Sequence, residues 1–177
     1  VHSNGYSLVR KLVEREGAKW ESPAPFAKKK SIAEALLEPT RIYVKQLLQV
    51  IRATGAIKGL AHITGGGLPG NVPRCLPDGA RARLDARRWT APRVFQWLHQ
   101  VGQVPTDDML RTFNCGLGMI VVVAKDDAAR VAHALAETGE TVSEIGTIEA
   151  GKRRSSCRLT WPLTPKWTWA RQATLTT

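Results

Sequence analysis

Residues 61–67 read AHITGGG: a histidine and a threonine close an apolar run, and three glycines follow. Glycine loses the most backbone entropy on folding, so a run of it marks a turn closed to other residues or a place where something approaches the backbone. A strand end, bare backbone N–H groups and then a helical turn make an anion site, because the free amides and the helix dipole point at the ligand. The same logic appears twice more. His2-Ser3-Asn4-Gly5 opens a helix-like stretch with small polar side chains, and Asn114-Cys115-Gly116 precedes an apolar run. Such junctions either converge on one phosphorylated ligand or serve only as caps and turns, and the residue types allow both.

The elements that must hold these junctions follow from periodicity. Residues 3–17 read as a helix with Ser3 or Asn4 as its cap, Leu8, Val9, Leu12 and Val13 as one apolar stripe, and Gly17 at its end. WESPAPFAKKK is a loop, and Ser31 with Glu34 forms a capping box for a short helix that stops before Pro39. TRIYV starts extended. A helix then runs to about Ala53 with Val44, Leu47, Leu48 and Ile51 on one face, closed by Gly55. IKGLAHI is a strand that runs into the glycines, and residues 68–77 allow one or two helical turns. ARARLD alternates as a strand. Thr90 is expected to cap a helix through Val101 and Thr106 another over DDMLRTF. LGMIVVVA reads as a buried strand, residues 126–138 as a helix with Val131, Ala132 and Leu135 inward, and TVSEIGTIEA as a turn and strand. Short strands alternating with amphipathic helices argue for an α/β fold, a layered sandwich with a mixed β-sheet. Their irregular order argues against a doubly wound parallel sheet.

GGGLPG at 65–70 satisfies G-x-G-x-x-G after a strand, and Asp85 lies twenty residues beyond Gly65. That is the spacing of a dinucleotide-binding fingerprint. The fingerprint needs a regular helix at the loop, however, and Pro69, Pro73 and Pro77 recur there. Pro73 alone would cost a helix about 3 kcal/mol. No G-x-x-x-x-G-K-[ST] motif occurs, which excludes a P-loop.

With 43% apolar residues, the 177-residue chain can build one ordinary core. Its longest apolar run, Leu117 to Ala124, is far short of the ~20 residues of a membrane helix. Cys75, Cys115 and Cys157 match no zinc spacing and leave one cysteine over in any disulfide scheme. With no apolar leader, a cytoplasmic location is expected. The net charge is +11, but residues 152–177 hold six Lys or Arg and no acid. The remainder is spread in mixed-sign patterns such as RKLVERE, so nucleic acid is not an expected partner.

HSNGYSLVRK, EPTRIYVK, GLAHITGGGLPGNVPRCLP, VFQWLHQVG and MLRTFNCGLGMIVVV, in this order, resemble the phosphoribosylformylglycinamidine cyclo-ligase family, the aminoimidazole ribonucleotide synthetases of purine biosynthesis. The resemblance runs from Val1 to about Gly151, so residues 1–151 are expected to form the C-terminal domain type of that superfamily. Residues 152–177, basic and rich in tryptophan, depart from it and are expected to be poorly ordered. Selenophosphate synthetase and thiamine-phosphate kinase share the glycine-rich feature and match HSNGYSLVR and TRIYVK less well.

The resemblance implies an ATP-dependent ligase that cyclises formylglycinamidine ribonucleotide. ATP phosphorylates the formyl amide oxygen, the amidine nitrogen closes the ring, and phosphate leaves. Only the family's C-terminal half is matched. The resemblance therefore implies a partner N-terminal domain that holds most of the ATP and Mg2+ site and the main homodimer contact, and little activity without it. It points to His62 and His2 as acid–base candidates. Ser3, Asn4, Thr64 and Asn114 are implied as neutral hydrogen-bonding groups, and Gly5, Gly65, Gly66, Gly67 and Gly116 as sources of backbone N–H. Arg41 is implied as a phosphate clamp. No metal ligand is assigned in this chain. Other readings are a superfamily cousin acting on another phosphate acceptor, a polyanion-binding module working through residues 152–177, and a remnant without activity.

Overall fold

The computed structural model describes residues 1–151. The expectation of a poorly ordered segment 152–177 lies outside the described residues. Seven α-helices and four strands alternate irregularly along the described chain.

Helix α1 (Tyr6–Arg15) buries Val9, Leu12 and Val13, as its stripe dictates, and ends at Gly17 with φ +62°. Neither Ser3 nor Asn4 caps it. The N-cap is Gly5 in the left-handed region, with His2 and Ser3 also at positive φ just before it. Gly5 is required there: a methyl group on it would overlap the Phe113 ring and the Thr112 side chain. Helix α2 (Ile32–Leu36) carries the complete capping box, Ser31 Oγ accepting from the Glu34 amide and Glu34 accepting from the Ser31 amide. The Tyr6 hydroxyl donates to the Leu36 carbonyl and ties α1 to α2.

Helix α3 (Val44–Thr54) follows and closes at Gly55 in the left-handed conformation. Its buried residues are Leu47 and Val50. Val44 and Leu48, expected inside, are 61% and 43% exposed. The face is rotated because α3 packs with α7 (Ala128–Glu137) on a narrow two-stranded ladder, β1 (Ile57–His62) against β3 (Met119–Val123). Only Ile120 of β3 is buried, so the fully buried strand expected of LGMIVVVA is half-covered instead. On the opposite side of the ladder, Ala61 and Ile120 join the main core of Val9, Leu12, Ile32, Leu36, Leu68, Phe95, Leu98, Leu110 and Phe113.

The glycine loop leads into one turn of helix, α4 (Gly67–Asn71), and then a 3-10 turn over Val72–Cys75, as the prolines require. A second ladder pairs β2 (Ala80–Leu84) with β4 (Gly146–Ala150). Ala82 and Leu84 face the core while Arg81 and Arg83 face outward to Glu149. Helices α5 (Arg93–Gly102) and α6 (Thr106–Thr112) supply Phe95, Leu98, Met109 and Leu110. Pro92 and Pro105 take their N-cap positions, so Thr90 and Thr106 do not cap. The α/β class is as read. Strand pairing among the described residues is antiparallel in both ladders, where a mixed sheet was expected.

Candidate functional site

The glycine loop owes its shape to Asn71. This residue lies three positions after buried Leu68 and one before buried Val72, so it falls on the inward face of the turn and is 4% exposed. Its amide nitrogen lies 3.3 Å from the Thr64 carbonyl oxygen, 3.2 Å from that of Gly65 and 2.8 Å from that of Gly67. Its own oxygen accepts from the Thr64 hydroxyl at 3.3 Å. With those carbonyls gathered inward, the N–H groups of Gly65 and Gly66, both exposed residues, have no hydrogen-bond acceptor among the described residues. Gly66, with φ +92°, caps α4, and the Gly67 N–H is held by the Thr64 carbonyl at 3.0 Å. Outward amides at a helical turn are the arrangement that binds an anion. The third glycine is there for packing: a methyl on Gly67 would overlap the Leu110 carbonyl.

The loop at residues 2–5 lies against the glycine loop. Asn4 donates from its side chain to the His2 carbonyl at 2.9 Å, and its Oδ1 lies 3.3 Å from where a side chain on Gly65 would begin. Both loops rest on the C-terminal end of α6, Gly5 on Thr112 and Phe113, Gly67 on Leu110 and Phe113. Two of the three glycine junctions therefore meet. Ser3 lies at the edge, with its hydroxyl 3.4 Å from that of Thr40.

His62 ends β1 on the exposed side, opposite Met119. The Tyr43 ring stands edge-on to it at 6.0 Å and also lies 6.3 Å from the His2 ring. His2 is half-buried, and its Nδ1 is fully buried without a hydrogen-bond partner. Burial lowers the His2 pKa from its ordinary value, and the positive charges of the amino terminus, His62 and Arg41 lower it further. A protonated ring would place an N–H where no acceptor waits. Burial thus favours the neutral form of His2.

Arg41 and the third junction stand differently. Arg41 is bound to Glu140 at 2.9 Å and 3.2 Å and to the Gly139 carbonyl at 3.4 Å, which occupies its fork in a surface ion pair. Asn114 is buried and accepts from the Gly116 amide at 3.0 Å, making the local turn that starts toward β3. Gly116 packs on Pro92, and the Trp89 indole donates to the Cys115 carbonyl at 3.0 Å. Among the described residues Asn114 and Gly116 form no hydrogen bond with the two meeting loops, although Asn114 directly follows Phe113, on which both loops rest. The Cys115 thiol beside them is buried, and burial pushes its pKa up to about 12. Asp85, the acid at fingerprint spacing, caps a 3-10 turn and holds Arg87 at 2.8 Å and 2.9 Å. Its carboxylate and the five-residue α4 leave no dinucleotide-binding unit.

Three residues of this site were not singled out from sequence: Asn71, Tyr43 and Gly118. All lie inside quoted motifs. Asn71 could have been found as a lone polar residue on the apolar side of a helical turn. Gly118 sits in an apolar run, and a side chain on it would collide with the Tyr43 hydroxyl and the His2 ring. Among the described residues, no group of three or more His, Cys, Asp or Glu side chains could hold a metal ion. No described helix is long and apolar enough to cross a membrane.

Compared with known families, residues 1–156 match the family described as AIR synthase related protein, C-terminal domain.

Proposed function

The chain belongs to the AIR synthase related family as its C-terminal domain, and on that premise we propose that it is the C-terminal half of a phosphoribosylformylglycinamidine cyclo-ligase. Such an enzyme closes the imidazole ring of aminoimidazole ribonucleotide at the expense of ATP. The observation that carries the reading is the meeting of the 2–5 and 64–67 loops at Asn4 and Gly65, with the Gly65 and Gly66 amides turned outward.

The substrate carries a ribose phosphate, and the reaction passes through a phosphorylated amide, so the site must hold anions against preorganised donors. The two outward amides supply neutral donors for one phosphate, and Asn4, whose Nδ2 is tied to the His2 carbonyl, shapes the rim beside them. His2, kept neutral by burial, is in this reading a neutral acid–base candidate beside the loop. His62, exposed beside the same loop, is the second acid–base candidate. Arg41 and the Asn114–Gly116 turn serve in this reading as supports. In this reading the Mg2+ ligands, like most of the ATP site, belong to an N-terminal domain that completes the cleft. The homodimer contact is assigned to that domain too, and the enzyme to the cytoplasm.

The test is phosphate release from ATP in the presence of formylglycinamidine ribonucleotide, with this chain alone and with a separately expressed N-terminal half. Release only in the mixture, together with the imidazole product, is the expected result. Release that needs a different phosphate acceptor would assign the chain to a superfamily cousin. Silence in both would overturn the proposed activity.

A further inference from the structure

The β1–β3 ladder is left open along β1. Leu60 lies on the face of the ladder that α3 and α7 pack against, opposite Val121, yet it is 36% exposed. Met119, Val121 and Val123 of β3 are packed by the two helices, so the uncovered part of that face belongs to β1. Helix α3 runs beside it. Gly55 and Ala56 return the chain directly into β1, and Tyr43 at the start of α3 meets the ring of His62 at the end of β1. Val44, Leu48 and Ile51 recur at i, i+4 and i+7 and form a second apolar stripe on α3, next to buried Leu47 and Val50. Val44 and Leu48 are exposed and Ile51 is half-buried.

The backbone of β1 is open as well, because its only strand partner among the described residues is β3. The Ile63 amide donates to the Gly118 carbonyl at 2.9 Å, so Ile63 and Ala61 turn their polar groups to β3. By the alternation of an antiparallel pair, Leu60 and His62 turn theirs away, and no described residue bonds them. An unpaired edge beside an apolar stripe is the surface that takes an added strand. The charges around it select which strand. Residues 39–77 contain Arg41, Lys45, Arg52, Lys58 and Arg74 and no acid. Lys45, Arg52 and Lys58 are exposed and have no ion pair among the described residues. Lys45 and Arg52 flank the stripe on the side away from Leu47 and Val50. Asp127 and Glu140, at the two ends of α7, are already held by Arg130 and Arg41. A second copy of this chain would set the same cations against each other, across an edge that Lys58 guards.

We propose that this edge docks an acidic, extended segment of a partner protein. Its backbone pairs with Leu60 and His62, its apolar side chains lie on Leu60 and the α3 stripe, and its carboxylates meet Lys45, Arg52 and Lys58.

The test uses the full 177-residue chain, with a synthetic peptide of alternating glutamate and valine as the probe, followed by NMR and by fluorescence anisotropy. Saturable shifts are expected at the Leu60 and His62 amides and the Val44 and Leu48 methyl groups, with binding that weakens as salt rises. A peptide of alternating lysine and valine is expected not to bind, for its charge, nor the acidic peptide with proline at its centre, for its lost backbone donor. Leu48→Glu is expected to weaken binding at least about 10-fold, and Lys45→Glu combined with Lys58→Glu about 5-fold. All three residues are exposed, so these variants keep the fold. The proposal is overturned if wild type shows no saturable binding, or if the shifts are confined to residues 152–177. It is overturned equally if the proline peptide binds as well as the unbroken one, or if Leu48→Glu binds as tightly as wild type. Phosphatidylserine vesicles bound through the same residues, with the peptide not bound, would assign the surface to a membrane and overturn it too.

Discussion

Replacing Asn71 by leucine keeps the branched shape of the side chain and deletes its hydrogen bonds, so it isolates what this residue does for the glycine loop. Three carbonyl contacts and one hydroxyl contact are lost. They are not equal. The 2.8 Å bond to the Gly67 carbonyl lies in a buried position, and leaving that oxygen short of a donor costs about 1–3 kcal/mol. The Thr64 carbonyl keeps the Gly67 amide at 3.0 Å, and exposed Gly65 turns its carbonyl to water, so these two add roughly 0.5–1 kcal/mol together. The net expectation is a loss of about 2–3 kcal/mol after a small apolar gain. Asn71→Asp should be worse at pH 7, because it faces the same carbonyls with a second acceptor, and a buried carboxylate with only the Thr64 hydroxyl as donor is costlier than a neutral gap. Urea unfolding followed by tryptophan fluorescence reads both. A leucine variant within about 0.5 kcal/mol of wild type, or an aspartate variant more stable than the leucine one, would refute the claim that Asn71 shapes the loop.

Other consequences follow from the same geometry. Gly67→Ala should destabilise by more than about 2 kcal/mol, since its methyl meets the Leu110 backbone and its φ is +57°; thermal unfolding checks this, and Gly139→Ala, with open space around it, is the comparison for φ strain alone. Acid should weaken the fold through His2. Its folded pKa lies below its unfolded one, so between the two the unfolded state binds more protons. This contribution is intact above pH 6.5, the ordinary histidine value, and falls away below it. Urea midpoints at pH 7.5 and 5.5 should therefore differ more in wild type than in His2→Gln. Cys115, with its pKa near 12, should resist alkylation at pH 8 in the folded chain and react once the chain is unfolded, as read by peptide mass spectrometry.

Local signals carried most of the fold. The stripe of α1, the capping box of α2 and the closing glycines at 17 and 55 are short-range physics and were legible in the residues. Side-chain caps failed where tertiary contact outweighed propensity. Ser3 and Asn4 give way to Gly5 because only a glycine fits against Phe113, and Thr90 and Thr106 yield to prolines that already fix the entry angle. The face of α3 was misjudged because Val44, Leu48 and Ile51 fit a helical stripe as well as Leu47 and Val50 do. Only the partner layer, α7 and the β1–β3 ladder, decides between them. For the site, glycine runs and polar junctions exposed two loops that meet, and the third, a buried turn next to Phe113, looks the same in sequence. Asn114 differs from Asn4 only in where it is buried. Tyr43 and Gly118 owe their place to a contact across the chain, which no local pattern announces.

If the loops at 2–5 and 64–67 form one anion site, amide chemical shifts will report it. Inorganic phosphate, then ribose 5-phosphate, is titrated into the isotopically labelled chain. The prediction is that the Gly65 and Gly66 amides move together with the Asn4 side chain and the His2 ring, with one saturation curve, while the Gly116 amide and Arg41 stay still. Movement centred on Arg41 or Gly116, or no saturable movement at Gly65 and Gly66, would contradict it.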